Sequence, residues 1–129
     1  MEDWYVYIIK NKNKTYCGAT PDPEKRIKKH NGLIPGGAKY TKAQGQGWEF
    51  VCIIGTFDKI NALRFEWAVK HVKKPKYRGI TSRMNNLYLV LTKDRWTSKS
   101  PEADECPLCI EWHDKQYKIK SPLPYYIFQ

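Results

Sequence analysis

The sequence predicts an α/β fold, with a small and mainly antiparallel central sheet of about three strands flanked by helices. Two observations predict the sheet: a pair of short aromatic and β-branched runs joined by a polar turn, and a longer apolar run after residue 47. A third observation predicts the helices, because helix-start patterns follow the second and third of these runs. The 129 residues are expected to form one domain, 1–129.

The first two strands are predicted within residues 4–19. The run WYVYII at residues 4–9 is too short for a helix, and the polar KNKNK separates it from TYCGA at residues 15–19. An antiparallel hairpin follows from this pattern, with Tyr5, Tyr7 and Ile9 on one face. The apolar run WEFVCIIGTF at residues 48–57 predicts a third, central strand.

The first helix is predicted to begin after Asp22. Aspartate is a favoured N-cap, Pro23 suits the first helical position, and Glu24 lies in the first turn. Arg26 and His30 are four residues apart, so they are expected on the same face of this helix.

A second helix is predicted after Asp58. Its apolar residues at 62, 65, 68, 69 and 72 form one arc. Ile60, Leu63 and Trp67 cover much of the other side, so we expect more than one neighbour to bury this helix.

The remaining segments give weaker patterns. Residues 32–47 contain five glycines and predict an irregular, functional loop. Apolar spacing at residues 84–91 predicts a third helix, and residues 107–119 a strand with a turn. The C-terminal segment, 121–129, is expected to dock on the domain or pair with a sheet edge.

The charge balance favours a polyanionic partner. The chain carries 23 basic and 13 acidic residues, a net charge of +10. Nine bases and two acids lie within residues 10–42, and six bases and no acid within residues 70–83. This distribution is typical of nucleic-acid binding, although a merely basic soluble surface is the alternative.

Targeting patterns favour an intracellular location. The N-terminus shows no signal-peptide pattern, and no apolar run approaches the ~18 residues of a membrane span. We therefore expect no membrane association, and an intracellular protein: nuclear if the cell is eukaryotic, otherwise cytoplasmic.

Several motifs occur in a characteristic order. They are Tyr7, YCG at 16–18, Arg26, HNG at 30–32, GGAKYT at 36–41 and ALRFEW at 62–67. Over residues 4–72 this order resembles the GIY-YIG nuclease superfamily, and within it the catalytic subunit of the Slx-type structure-specific endonucleases. Residues 73–129 are then a C-terminal helix and strand extension. Tyr5 departs from the family pattern, since it stands where the motif has glycine.

The resemblance implies a metal-dependent endonuclease with five catalytic residues: Tyr7, Tyr16, Arg26, His30 and Glu66. Glu66 would bind one divalent ion, Mg²⁺ or Mn²⁺. The general base is left open among Tyr16, Tyr7 and His30; we favour Tyr16, positioned by Tyr7 and assisted by His30. The alternative for Glu66 is a simple i,i+4 pair with Lys70.

The expected substrate is DNA with branches or flaps, cut during repair or recombination, with a scaffold protein as a possible partner. The predicted nucleic-acid-binding residues lie in or near the two basic stretches: Lys25, Lys28, Lys29, Lys39, Tyr40, Thr41, Lys42, Arg64, Lys73, Lys74, Lys76 and Arg78. The competing hypothesis is a non-catalytic nucleic-acid-binding module that retains the nuclease fold.

Cys106 and Cys109 form a CxxC pair with His113 nearby. A closed zinc site needs a fourth ligand, and no further Cys or His follows. We expect this segment to be structural rather than zinc-binding, and too few ligands remain for the RING-like domain of the Slx-type subunit. The alternative is a zinc-dependent, partner-binding tail, and the sequence leaves open whether the two thiols bind any metal.

Overall fold

The computed structural model describes residues 2–73 and 79–129. The strands and helices follow in the order β1 (Trp4–Asn11), β2 (Lys14–Thr20), α1 (Pro23–His30), α2 (Lys39–Ala43), β3 (Glu49–Phe57), α3 (Lys59–His71), α4 (Ile80–Leu91), β4 (Leu108–Trp112) and β5 (Ile127–Phe128). Short 3-10 turns at Ala103–Glu105 and Lys115–Tyr117 flank β4. The predicted α/β class is confirmed.

The central sheet has five strands in the order β2-β1-β3-β4-β5, rather than about three. The first four strands pair in antiparallel fashion, and β5 pairs with β4 in parallel. β5 has only two residues, which is too short for a period-two pattern in the sequence. Because β4 and β5 join the same sheet as β1–β3, the C-terminal extension is continuous with the motif-bearing part.

The two faces of β1 serve different purposes, because side chains alternate along a strand. Val6 and Ile8 are fully buried against the main core, which includes Phe65 of α3 and Leu87 of α4. Tyr7 and Ile9 point to the opposite face, where they form a second, smaller cluster with Trp48. That second face carries the candidate site.

The two predicted N-caps are confirmed. The Asp22 carboxylate accepts a hydrogen bond from the backbone N–H of Lys25 at 3.1 Å, and the Asp58 carboxylate accepts one from that of Asn61 at 2.8 Å. Each cap satisfies an N–H that the first helical turn leaves without a partner. The caps therefore fix where α1 and α3 begin.

α3 has more than one neighbour, as expected, because both the sheet and α4 pack against it, but they leave one side of the helix uncovered. Ile60, Leu63 and Trp67 are exposed at 61%, 46% and 56%. The sheet and α4 cover only the arc that includes Ala62, Phe65 and Val69. α3 is therefore a surface helix with an uncovered apolar stripe.

Tyr5, which departs from the motif, packs across Gly55 of β3, the residue with which it is in register. A Cβ atom at position 55 would lie 3.0 Å from Cε1 of Tyr5 and closer still to its Cδ1. Such separations are shorter than van der Waals contact. The tyrosine therefore fits only because its neighbour has no side chain.

In the described ranges, no helix is long and apolar enough to cross a bilayer.

Candidate active site

Tyr7 lies at the centre of the site and depends on Gly18. The two residues are in register across β1 and β2, and the Tyr7 ring lies over the glycine. A Cβ atom at position 18 would lie 2.6 Å from Cζ of Tyr7 and closer still to its hydroxyl oxygen. The close backbone approach expected at Gly18 therefore accommodates this phenol.

His30 is fully buried between Tyr7 and Thr41. Its Nε2 lies 2.6 Å from Oη of Tyr7, and its Nδ1 lies 2.7 Å from Oγ1 of Thr41. The Thr41 hydroxyl also donates to the carbonyl oxygen of Ala38 at 2.9 Å.

These contacts determine where the imidazole proton resides. The Thr41 hydroxyl has a single proton and gives it to Ala38, so it must accept the hydrogen bond from Nδ1–H of His30. Nε2 of His30 then has a free lone pair and accepts from the Tyr7 hydroxyl. The result is a hydrogen-bond chain with one direction, from Tyr7 through His30 and Thr41 to Ala38.

α1 presents Arg26 one turn before His30, as the spacing predicts. Arg26 Nη1 donates to the carbonyl oxygen of Gly36 at 2.8 Å, which holds the guanidinium against the glycine-containing loop. Burial raises the pKa of Tyr7, and the nearby Arg26 guanidinium opposes that effect. Burial, and then the Arg26 charge, lower the pKa of His30 to about 4. At neutral pH the phenol is protonated and the imidazole neutral.

Tyr16 forms the outer wall of the site. Its ring centroid lies 4.9 Å from that of His30, and it stacks on Tyr40 with centroids 6.3 Å apart and an angle of 21°. Lys70 Nζ lies 5.2 Å from the Tyr16 ring centroid. Tyr16 is only partly buried, so solvent reaches it more readily than Tyr7.

Glu66 joins the site through Lys70. Its Oε2 lies 2.6 Å from Lys70 Nζ, so the i,i+4 pair considered as the alternative is present. The Glu66 side chain is 20% exposed, and the same lysine contacts the Tyr16 ring. The structure thus brings all five predicted catalytic residues to one region of the molecule, with Tyr7 and His30 buried beneath the others.

The predicted nucleic-acid-binding residues differ in their exposure. Lys25, Lys28, Lys39, Tyr40, Lys42 and Lys73 are exposed, and Lys29 and Arg64 are partly buried. Arg64 donates to the Asn61 side chain at 3.2 Å and lies two positions before Glu66, about 160° away around α3. Lys74, Lys76 and Arg78 lie outside the described residues.

Thr41 requires a correction. It was predicted to contact nucleic acid, but it is fully buried and its hydroxyl is occupied by His30 and Ala38. It lies in α2, a single helical turn within a loop that was expected to be irregular. The turn delivers the hydroxyl to the imidazole, so Thr41 positions His30.

Two residues of the site region were missing from the predicted set. Asn31 accepts hydrogen bonds from the backbone N–H groups of Gly47 and Trp48 and donates to the Trp48 carbonyl, so it ties the loop to β3. Arg83 of α4 lines a cavity beside Tyr16. It belongs to the acid-poor stretch 70–83, which is the one signal that could have identified it.

The C-terminal thiols lie outside this site. All four cysteines are free, and Cys109 is exposed. His113 Nε2 lies 3.1 Å from a Glu111 carboxylate oxygen. Among the described residues, the group of three ligand-type side chains close enough for a shared ion is Glu102, Asp104 and Glu105, all exposed and none of them a predicted site residue.

The fold and this site define a class of protein. The chain belongs to the GIY-YIG family, because the family model of the GIY-YIG catalytic domain matches residues 3–78, more than half of the chain. Nucleases of this family depend on a divalent metal.

Curated relatives give a more specific similarity. The chain is 47% identical to structure-specific endonuclease subunit SLX1 of Phaeosphaeria nodorum over 66 residues, which cover 50% of this chain and 18% of that protein. It is 31% identical to the protein of that name from Candida dubliniensis over 144 residues, covering 96% and 50% respectively. The Kluyveromyces lactis protein is 35% identical over 127 residues, covering 88% and 44%. The chain therefore spans half or less of the length of these relatives.

Proposed function

We propose that this chain is the nuclease part of a structure-specific DNA endonuclease, which hydrolyses phosphodiester bonds at branched or flapped DNA in repair or recombination. The observation that carries the proposal is the buried, directional chain from Tyr7 through His30 to Thr41, with Arg26 beside it. The family and the names of the relatives support the same activity.

The hydrogen-bond direction favours Tyr7 over Tyr16 as the residue that receives the proton of the attacking water. The Tyr7 hydroxyl already donates to His30, so its oxygen can accept a proton while its own proton passes to Nε2. This route needs no free phenolate, which the raised pKa of Tyr7 would oppose. Tyr16, the more accessible tyrosine, would orient the water and the phosphate.

Substrate binding would make His30 a better acceptor. The Arg26 charge is one of the two causes that lower the pKa of His30 to about 4. A DNA phosphate beside Arg26 would offset that charge and favour the imidazolium. The guanidinium is held by Gly36, so its remaining N–H groups are preorganised to stabilise the charge that develops on the phosphate.

Glu66 is the residue of the site that would hold the divalent ion. A Mg²⁺ or Mn²⁺ ion needs one or two carboxylates, with waters and phosphate oxygens completing its coordination. The Glu66 carboxylate is partly exposed at the edge of the site, and its present partner is the Lys70 ammonium, 2.6 Å from Oε2. The residues present therefore fit one ion, which would neutralise charge on the phosphate and the leaving oxygen. Lys70 would have to release Glu66 when the ion binds.

The word "subunit" in the names of the relatives supports a scaffold protein as partner. We also propose an intracellular site of action.

The second candidate function is a non-catalytic nucleic-acid-binding module. The complete set of Tyr7, Tyr16, Arg26, His30 and Glu66 argues against it, because binding alone does not require a buried proton route.

The test is cleavage of a labelled panel of flaps, forks, four-way junctions and plain duplex, with Mg²⁺, Mn²⁺ or EDTA. We expect metal-dependent cutting of branched substrates and little cutting of duplex. Binding without cleavage of any substrate in either metal would support the binding module instead. Tyr7→Phe should stop cleavage more completely than Tyr16→Phe if Tyr7 receives the proton.

A further inference from the structure

A cavity of about 710 Å³ adjoins the catalytic residues, between the start of β2 and the N-terminal part of α4. Its lining includes three cationic side chains, two tyrosines and an asparagine: Lys14, Lys70, Arg83, Tyr16, Tyr40 and Asn86. Tyr16 also contacts His30, so the cavity lies next to the proposed site of cleavage. Its volume lies in the range of about 300–1,000 Å³ that is typical of small-ligand sites.

The charged side chains that line the cavity favour an anionic ligand. Its described lining contains no carboxylate, and Lys70 is the one cation with a recorded salt bridge. The Nε atom of Arg83 is buried and has no hydrogen-bond partner among the residues that the structure describes. Buried guanidinium N–H groups are normally paired, because leaving one unpaired forfeits its hydration. Because Nε does not contact solvent, a phosphate in the cavity would instead meet the other N–H groups of the Arg83 guanidinium, and a phosphate oxygen is the acceptor that suits a guanidinium best.

The size and the aromatic wall narrow the ligand to one nucleotide. A cavity of this volume has room for a ligand of the size of one unpaired nucleotide, whereas a base-paired duplex could present only its outer phosphates to the opening. Tyr40 is 43% exposed and lies beside the cavity, so its ring offers a face on which a base can stack.

We propose that this cavity binds an unpaired nucleotide of the branched DNA next to the scissile phosphate, with its phosphate on Arg83 and Lys14 and its base against Tyr40. The inference rests on the proposed function and adds to it a determinant of specificity. Plain duplex has no unpaired nucleotide to place in the cavity, so it leaves Arg83 unpaired and binds less tightly.

The experiment measures the binding of labelled flap DNA in EDTA, so that its readout does not depend on cleavage. Single methylphosphonates, which remove the charge of one phosphate, are placed in turn at the first four phosphates of the unpaired arm. At one position the substitution should weaken binding by the wild-type protein about tenfold, the loss expected for one charge-assisted hydrogen bond. Arg83→Gln should weaken binding to unmodified flap by a similar factor and show no further loss at that position.

The matched control is Lys93→Gln. Lys93 is exposed just beyond the opposite end of α4, about 15 Å from Arg83 along the helix, and its substitution removes the same charge. It should keep the full methylphosphonate penalty. Lys14→Gln, at an exposed position, repeats the test should Arg83→Gln fail to fold.

The proposal is overturned if, at every position, the methylphosphonate weakens binding by the Arg83 and Lys14 variants as much as it weakens binding by the wild-type protein. It is also overturned if Arg83→Gln weakens duplex binding as much as flap binding. Its failure differs from failure of the proposed function. Wild-type protein that cuts flaps but shows only additive penalties refutes the cavity, whereas protein that shows the predicted coupling but cuts nothing refutes the nuclease.

Discussion

Replacing Gly18 with alanine tests whether the site depends on the position of the Tyr7 phenol. The new Cβ would lie 2.6 Å from Cζ of Tyr7, so the ring must move by roughly 1 Å to reach ordinary contact. A movement of that size is larger than the ordinary spread of hydrogen-bond lengths, so it should disrupt the bond between Tyr7 Oη and His30 Nε2, now 2.6 Å.

Two effects set the expected magnitude. Overpacking costs about 1–3 kcal/mol, and a buried imidazole nitrogen without its donor costs a further 1–3 kcal/mol or so. We therefore expect the free energy of unfolding to fall by about 2–6 kcal/mol, measured by urea denaturation. A misplacement of about 1 Å should also lower kcat/KM for flap cleavage about 100-fold.

The control is the Tyr7→Leu background, which removes the ring that the new methyl group would strike. There, Gly18→Ala should cost less than about 1 kcal/mol of further stability, since the two residues no longer collide. The reasoning is refuted if Gly18→Ala in the wild-type chain keeps its stability and stays within about threefold of wild-type kcat/KM.

Four further expectations concern charge. Arg26→Ala should lower kcat about 10²–10³-fold, and Lys28→Ala far less; equal losses would contradict the assigned role. Glu66→Gln should abolish metal-dependent cleavage while DNA binding, measured by fluorescence anisotropy, survives; if Glu66 only pairs with Lys70, then Lys70→Ala should have the same effect. Binding should weaken with salt at a log–log slope of roughly −4 to −5 if about five phosphates are neutralised, and salt-insensitive binding would contradict a DNA groove. The pKa of His30 is about 4 in the folded state against an ordinary 6.5, so the unfolded state binds the proton more readily. The contribution of the neutral, buried His30 to stability should therefore be fully present above pH 6.5 and be lost as the pH falls towards 4. His30→Gln should reduce this loss in urea titrations.

Local signals predicted much of the site. An aspartate cap and a proline determine where α1 begins, and the start of the helix determines that Arg26 and His30 share a face. Tyr7 and Gly18 follow from the hairpin, because a polar turn between two short strands leaves few possible registers. Such features depend on residues close together in the chain, so a single sequence contains them.

Features that depend on distant contacts were missed or wrong. A threonine among lysines has no periodicity that reveals burial, so the sequence predicts an exposed Thr41. In the structure Thr41 is buried, and its hydroxyl hydrogen-bonds to His30, eleven residues earlier in the chain. Hydrophobicity alone predicts burial of the apolar stripe at Ile60, Leu63 and Trp67, because it does not tell which sides of a helix its neighbours cover. Arg83 comes next to β2 only through the packing of α4, which no local pattern encodes.

The packing of Tyr5 over Gly55 couples two positions that are fifty residues apart in the chain. A tyrosine at position 5 is compatible only with glycine across the strand, whereas a glycine at position 5, as in the usual motif, would leave room for a side chain at position 55. The two positions are therefore coupled: a side chain at residue 55 should be costly while Tyr5 is present and much better tolerated once Tyr5 is replaced by glycine.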